Sequence, residues 1–243
     1  MERVVFDRMA ELDQQHWWYV ARRRILLQVI GKFVALGKGA KILEIGCGTG
    51  HNLAMLAQLG HVDACEMDDA ARELASKRLG REVRQGTLPD LSAFEPGSYD
   101  LIALLDVLEH VPDDRAALDS IRNLLKLGGS LVVTVPANQW MWSAHDVAHH
   151  HFRRYSKNNL KQLVQATNYE ITLLSYFNTL LFPLIGCVRI VKKLLGRNTV
   201  DDALPSATAN RLLEKIFGAE AQLIGTVTMP AGTSLIAILR RGS

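Results

Sequence analysis

Three cysteines in 243 residues, Cys47, Cys65 and Cys187, lie far apart with no CxxC pair. That excludes a disulfide framework and a thiolate metal site, and it suits a reducing cytoplasm. Charge of one sign is also scarce. A formal net charge of +3 gives no support for a dedicated nucleic-acid binder, which needs a strongly basic face. The opening MERVVFDRMAELDQQ lacks the apolar core of a secretory signal, so a cytoplasmic protein is expected. No internal repeat or low-complexity run interrupts the chain. One apolar run stands out, the uncharged residues 171–188, ITLLSYFNTLLFPLIGCV, which just reach membrane-spanning length. Asn178, Pro183, Gly186 and several hydroxyls interrupt it, and it divides into a strand followed by a helix. A surface helix touching the membrane is the reading carried forward, not a span.

With 48% hydrophobic and 22% charged residues the chain is ordinary for a globular protein, long enough for one large domain with an insertion. Residues 11–36 read as a helix, with apolar positions at helical spacing along WWYVARRRILLQVIGKF. Strands and helices then alternate. Strands are expected at 41–45, 61–66, 82–85, 98–106 and 130–136. Helices are expected at HNLAMLAQL, DDAARELASKRL and 113–127, the last stopped by Gly128-Gly129. Such alternation implies a parallel sheet covered on both sides by helices. A polar loop follows at 137–156, then a helix capped by Ser156, a strand near 169–176, helices near 178–195 and 207–224, and a last strand at 234–241. The segment 196–206 is the one linker-like stretch. The layout divides into an N-terminal helical cap (1–37), a ligand-binding α/β domain (38–177 and 226–243) and a helical insertion (178–225).

The chemistry begins at LEIGCGTG (43–50), where a strand meets a helix. Glycines there let the backbone pass close to a nucleotide-like ligand. The spacing Gly46-x-Gly48-x-Gly50 is one residue shorter than the dinucleotide fingerprint, which argues against an NAD-dependent dehydrogenase. Glu44 precedes the first glycine by two and can meet a cationic amino group. Glu66 ends the next strand, where a carboxylate can receive both hydroxyls of a ribose.

These residues resemble the class I methyltransferases that use S-adenosylmethionine. LEIGCGTG is similar to their first motif, CEMDD to their ribose-binding strand end, and VRQGTLPDL to the segment lining the adenine. YDLIALLDVLEHVPD and LKLGGSLVVTVP resemble their fourth motif and the turn into strand five. The resemblance covers about residues 38–136. It implies a Rossmann-like seven-stranded sheet in the order 3-2-1-4-5-7-6, with strand seven antiparallel. It also implies a cofactor site of Glu44, Gly46, Cys47, Gly48, Gly50, Glu66, Met67, Thr87, Leu88, Asp106 and Val107, with Tyr19 of the first helix closing over it. One departure is that Thr87 follows Gly86 where many members carry Asp, so the adenine contact is expected from backbone near Thr87 and Leu88. Cys47 is read as a small filler, not a nucleophile. A tetrad of Asp, Asn or Ser followed by Pro-Pro and an aromatic, frequent where planar nitrogens are methylated, is missing after strand four. DNA-base methylation is thereby disfavoured.

Four of the eight histidines fall in SAHDVAHHHFRRYS (143–156). A narrower resemblance, to a bacterial subgroup linked to polysaccharide and lipid-associated pathways, rests on HWWYVARRR, this loop and FGAEAQLI…MPAGTSLIAI. It favours Asp146, His151, Arg154 and Tyr155 as working residues and leaves His149 and His150 as spacer. His151 is the expected general base, with His145 in reserve and Asp146 as its orienting carboxylate. Arg153, Arg154, Tyr155 and Trp140 are expected to grip an acidic substrate, the arginines as an anion clamp. Consecutive histidines diverge, and only His145 with His149 has ligand spacing, so no metal is expected. Glu109 and His110 are read as bracing a turn. The expected activity is O-methylation of a small or lipid- or glycan-linked substrate bearing an acidic group. The alternative is a catalytically inactive S-adenosylmethionine-binding interaction protein. The substrate's identity and the oligomeric state are not legible at this level.

Overall fold

A computed structural model describes residues 3–195 and 204–242. Seven strands form one sheet in the order β3-β2-β1-β4-β5-β7-β6, the expected topology. In chain order they are β1 (Lys41–Ile45), β2 (His61–Glu66), β3 (Arg84–Gln85), β4 (Tyr99–Leu105), β5 (Leu125–Pro136), β6 (Tyr169–Phe177) and β7 (Ser234–Arg241). β7 runs antiparallel to both β5 and β6, while β1–β5 pair in parallel. The helices are α1 (Arg3–Leu12), α2 (Trp17–Phe33), α3 (Leu53–Leu56), α4 (Asp69–Leu79), α5 (Asp114–Leu124), α6 (Ala144–Ala148), α7 (Lys157–Ala166), α8 (Phe182–Leu194) and α9 (Ala207–Leu223).

Alternate residues of each central strand feed two cores, as the two-residue period of a strand requires. Ile42, Leu101, Ala103, Val132 and Ile236 pack with Ile25, Leu26 and Val29 of α2 and Phe217 of α9. Leu43, Ile102, Leu131, Val133 and Ala237 pack instead with Leu118 and Ile121 of α5 and Leu160 and Val164 of α7. The N-terminal residues lie directly on the sheet through α2. The insertion is joined to them: Trp17 meets Phe217 edge-on at 5.8 Å, and Arg24 pairs with Glu214 at 2.9 Å.

Several boundaries differ from the sequence reading, each for a visible reason. The first expected helix is two, because the chain breaks at 13–16. Asp13 there is fully buried and receives Arg78 at 2.5 Å, and His16 Nδ1 caps α2 by accepting from Trp18 N–H at 3.3 Å. α5 stops at Leu124, three residues early. Its last carbonyls accept from Gly97 and Ser98 N–H, both at 2.9 Å, and Leu125 pairs with Tyr99 in the sheet. Only Leu53–Leu56 of HNLAMLAQL is helical. The loop 137–156 is folded rather than open: a 3-10 turn at Gln139–Met141 and α6 occupy it, and Tyr155 N–H returns to Pro136 C=O at 2.9 Å. Ser156 caps α7 as expected, accepting from Asn159 N–H at 3.0 Å. The uncharged run divides into β6 and the start of α8, and no helix among the described residues is long and apolar enough to cross a membrane. Of the linker-like stretch, 196–203 lies outside the described residues.

Candidate active site

A single cavity of about 1420 Å³ opens over the carboxyl ends of the strands, the place where open α/β sheets bind ligands. It exceeds the roughly 300–1,000 Å³ of an ordinary small-molecule pocket, leaving room for two ligands. Its two ends are built differently.

At one end the turn after β1 brings Gly46, Cys47 and Gly48 to the wall. Gly46 and Gly50 hold φ of +67° and +84°, where a side chain is strained. A Cβ on Gly46 would also stand 2.7 Å from Val107, and one on Gly50 would stand 3.0 Å from the backbone of Ala75. Gly48 N–H donates to Glu66 Oε2 at 2.8 Å, while Glu66 Oε1 accepts from Met67 and Asp68 N–H at 2.8 and 3.0 Å. The Glu66 carboxylate is thus fixed at the rim beside the exposed Met67. Thr87, Leu88, Val107 and Tyr19 line the same end, and Tyr19 meets His51 edge-on at 5.4 Å. Cys47 is buried, which pushes its thiol far above the ordinary range and suits a filler.

Glu44 is placed differently from expectation. It sits behind the wall, fully buried, with Oε1 accepting from Asn52 Nδ2 at 2.9 Å and Oε2 without a partner. Asn52, not Glu44, reaches the cavity. Burial pushes the Glu44 carboxyl up to about 7, although the Asn52 hydrogen bond and the Arg22 charge pull the other way.

Arg22 is the principal residue that sequence reading missed. It is 2% exposed and lines the cavity, donating to Asp106 Oδ2 at 2.6 Å and to Thr134 Oγ1 at 2.7 Å beneath the ring of Trp18. A signal existed: Arg22 falls at i+4 from Trp18 and i−3 from Ile25, on the apolar stripe of its helix. Asp106, at φ +58°, is held by this pair, so its carboxylate is partly spent inside the protein.

At the other end the folded loop meets the 3-10 turn Leu108–His110 after β4, with Phe152 N–H donating to Glu109 C=O at 2.8 Å. His151 Nδ1 lies 2.9 Å from Asp146 Oδ1, which leaves Nε2 for the cavity side. The His110 ring stands edge-on to His151 at 4.7 Å. Glu109 is fully buried with neither carboxylate oxygen partnered. Burial, and second the Asp106 charge, push its carboxyl well above the usual range. Burial and neighbouring His151 push His110 down to about 4, so it is neutral near pH 7. His145 and His149 also line the cavity, stacked at 3.9 Å.

The anion clamp is corrected. Arg154 is 7% exposed and spends its guanidinium on Asp146, Nε to Oδ1 at 2.7 Å and Nη2 to Oδ2 at 3.0 Å, with Nη1 on Ala137 C=O at 3.1 Å. Burial alone would raise the Asp146 carboxyl, but hydrogen bonds from His151 and Arg154 outweigh it and hold the group well below the usual range. Arg153 turns away to Asp114 at 2.7 Å and to Pro112 C=O at 2.7 Å. The Tyr155 hydroxyl is buried and donates to Asp114 at 2.9 Å, and Trp140 stacks edge-on against Phe182 at 6.0 Å; neither residue lines the cavity. The pattern RRY therefore builds the loop's frame, because a buried Asp146 needs a fixed cation beside it.

The sheet order and the glycine-loop site define a class I methyltransferase fold. The chain belongs to the methyltransferase-domain family, whose model matches residues 16–174. The unpartnered Arg22 Nε and Asn52 Oδ1 on cavity-lining residues fit a polar cofactor at that end. It is 34% identical over 146 residues to the ubiquinone biosynthesis O-methyltransferase of Xylella fastidiosa strain M23, a match spanning 52% of this chain and 59% of that one. The enzyme of the same name from Xanthomonas campestris pv. campestris strain B100 is 31% identical over 142 residues, 53% and 59% of the two chains. A methyltransferase from Thermotoga maritima shares the fold, with a TM-score of 0.61, 19% identity and 98% of each chain covered. So does a geranyl diphosphate C-methyltransferase from Streptomyces coelicolor A3(2), with a TM-score of 0.59, 11% identity and 89% and 78% covered.

Proposed function

We propose that the protein methylates an oxygen of a small amphiphilic or lipid-linked acceptor, with the donor at the glycine-loop end and the acceptor hydroxyl at the Glu109–His110–His151 corner. The observation that carries this reading is that both ends share one cavity with an apolar stretch of wall, Trp18, Leu181, Leu184, Ile185, Val188 and Leu213, beside the polar Arg8, Asn178 and Arg189. Bound at the first end, S-adenosylmethionine supplies an electrophilic methyl group on a sulfonium. Gly48, Glu66, Thr87 and Leu88 would hold its nucleoside, and Arg22 with Asn52 its amino-acid moiety. Such placement accounts for most of the rate in an in-line displacement, since alignment is worth roughly 7–11 kcal/mol in favourable cases.

His151, oriented by Asp146, takes the hydroxyl proton at Nε2. A positioned base of this kind contributes typically about 10²–10⁴-fold. Arg154 keeps Asp146 ionised and aimed. With both loop arginines paired within the protein, an acidic group on the substrate would rely on other cavity-lining cations, Arg8 and Arg189. The relatives named for ubiquinone biosynthesis support an oxygen acceptor.

The insertion supports a lipid-linked acceptor. α8 exposes Val191 and Leu194, lines the cavity with Leu184 and Val188, and carries Lys192 and Lys193 at its end. An apolar face rimmed by lysines suits peripheral contact with an anionic bilayer. Incubation of cell extract with labelled donor, followed by product identification, tests the acceptor class; a product methylated on nitrogen of a water-soluble amine would overturn it. Flotation with anionic vesicles at low salt tests the contact, and absence from the lipid fraction would remove it.

A further inference from the structure

We propose that Glu109, His110 and His151 form a divalent transition-metal site at the acceptor end of the cavity. One ligand atom from each of the three lies within 4.8 Å of the others, the convergence that a metal requires and that the consecutive loop histidines could not supply. All three line the cavity. The buried Glu109 has no hydrogen bond to either carboxylate oxygen, although the surrounding loops satisfy the backbone around it. A buried carboxyl left without a hydrogen bond is costly, and a cation bound beside it removes that cost. His151 has the orientation that metal-bound imidazoles adopt: its Nδ1 side is fixed by a carboxylate at 2.9 Å, so Nε2 is presented to the cavity. Asp106 stays outside the set, because Arg22 holds it at 2.6 Å.

Two imidazoles and one carboxylate leave open coordination positions, the pattern of catalytic rather than structural sites. The imidazoles select zinc, manganese, cobalt or ferrous iron over magnesium and calcium, which prefer all-oxygen ligands. The inference rests on the reading of this corner as the acceptor end and deepens it. An acceptor hydroxyl in an open position would give up its proton to solvent with the cation bound, and the oxygen would be held beside the methyl donor. His151 is then a ligand in the loaded protein and a base only in the stripped one.

The test is titration of chelator-stripped full-length protein with cobalt(II), read by its visible absorption, alongside calorimetry of S-adenosylmethionine binding on the same samples. One cobalt per chain is expected. Glu109→Gln, His110→Ala and His151→Ala should each weaken binding by about tenfold or more, with unchanged far-ultraviolet circular dichroism and donor affinity. No stoichiometric cobalt binding by folded, donor-binding wild-type protein would overturn the metal site and leave the base reading standing. Cobalt binding equally tight in all three variants would overturn it as well. Failure of the wild-type protein to bind the donor would instead overturn the proposed function.

Discussion

The two ends of the cavity are assembled by opposite strategies. The donor end is local: Gly48 and Glu66 are 18 positions apart and meet because adjacent parallel strands end side by side. The acceptor end is gathered from a distance: His151 meets a turn 41 positions upstream, where Phe152 N–H also donates to Glu109 C=O. Local construction repeats a short backbone solution, so its residues are readable as a motif. Distant construction depends on packing between loops, so residue type alone does not tell a working side chain from a framing one. Arg153 and Arg154 illustrate this: they are adjacent, look like one clamp, and do different jobs.

That difference can be broken by mutation, the largest effect first. Arg154→Ala strips the buried Asp146 of its cation, and loss of one partner of such a pair costs about 3–5 kcal/mol. Urea unfolding should show it; a loss under about 1 kcal/mol would return Arg154 to the substrate. The donor end offers a pH signature. The folded Glu44 carboxyl keeps its proton up to about 7, above the ordinary 4.5, so ionisation favours the unfolded chain. Its stabilising contribution is whole below pH 4.5 and lost as pH rises through 7, on the order of 3 kcal/mol at most. Wild-type stability measured against Glu44→Gln should fall across that window; parallel curves would show that Glu44 is already ionised.

Glu66→Ala should weaken donor binding by about 1.5–3 kcal/mol, the range for hydrogen bonds to a charged group. Calorimetry reads this directly, and a loss below tenfold would move the ribose contact elsewhere. Arg153→Ala is the smallest case. Its pair with Asp114 is partly exposed at 30% and 20%, where such bridges contribute about 0–1 kcal/mol. Stability should barely move and the acceptor KM should not change; a raised KM would restore the clamp.

Strand positions and the glycine turn were legible because each depends on periodicity and on short spacing, whereas the sheet order followed from the family resemblance. α5 could not be ended correctly from sequence, since the donors that stop it, Gly97 and Ser98, lie in the turn that leads into β4. Glu109 and His110 look like turn residues until the loop folds over them. Arg22 was legible in principle as a charge on an apolar stripe, although Arg23 and Arg24 beside it give the segment the look of a solvated basic run.

The central claim is that donor binding and acceptor chemistry occupy separable ends of one cavity. His151→Ala tests it most directly when turnover with labelled donor and donor affinity are measured on the same preparation. Turnover should fall by about 10²–10⁴-fold while the donor dissociation constant stays within twofold of wild type, roughly 0.4 kcal/mol. Unchanged turnover, or donor affinity lost together with turnover, would contradict the separation.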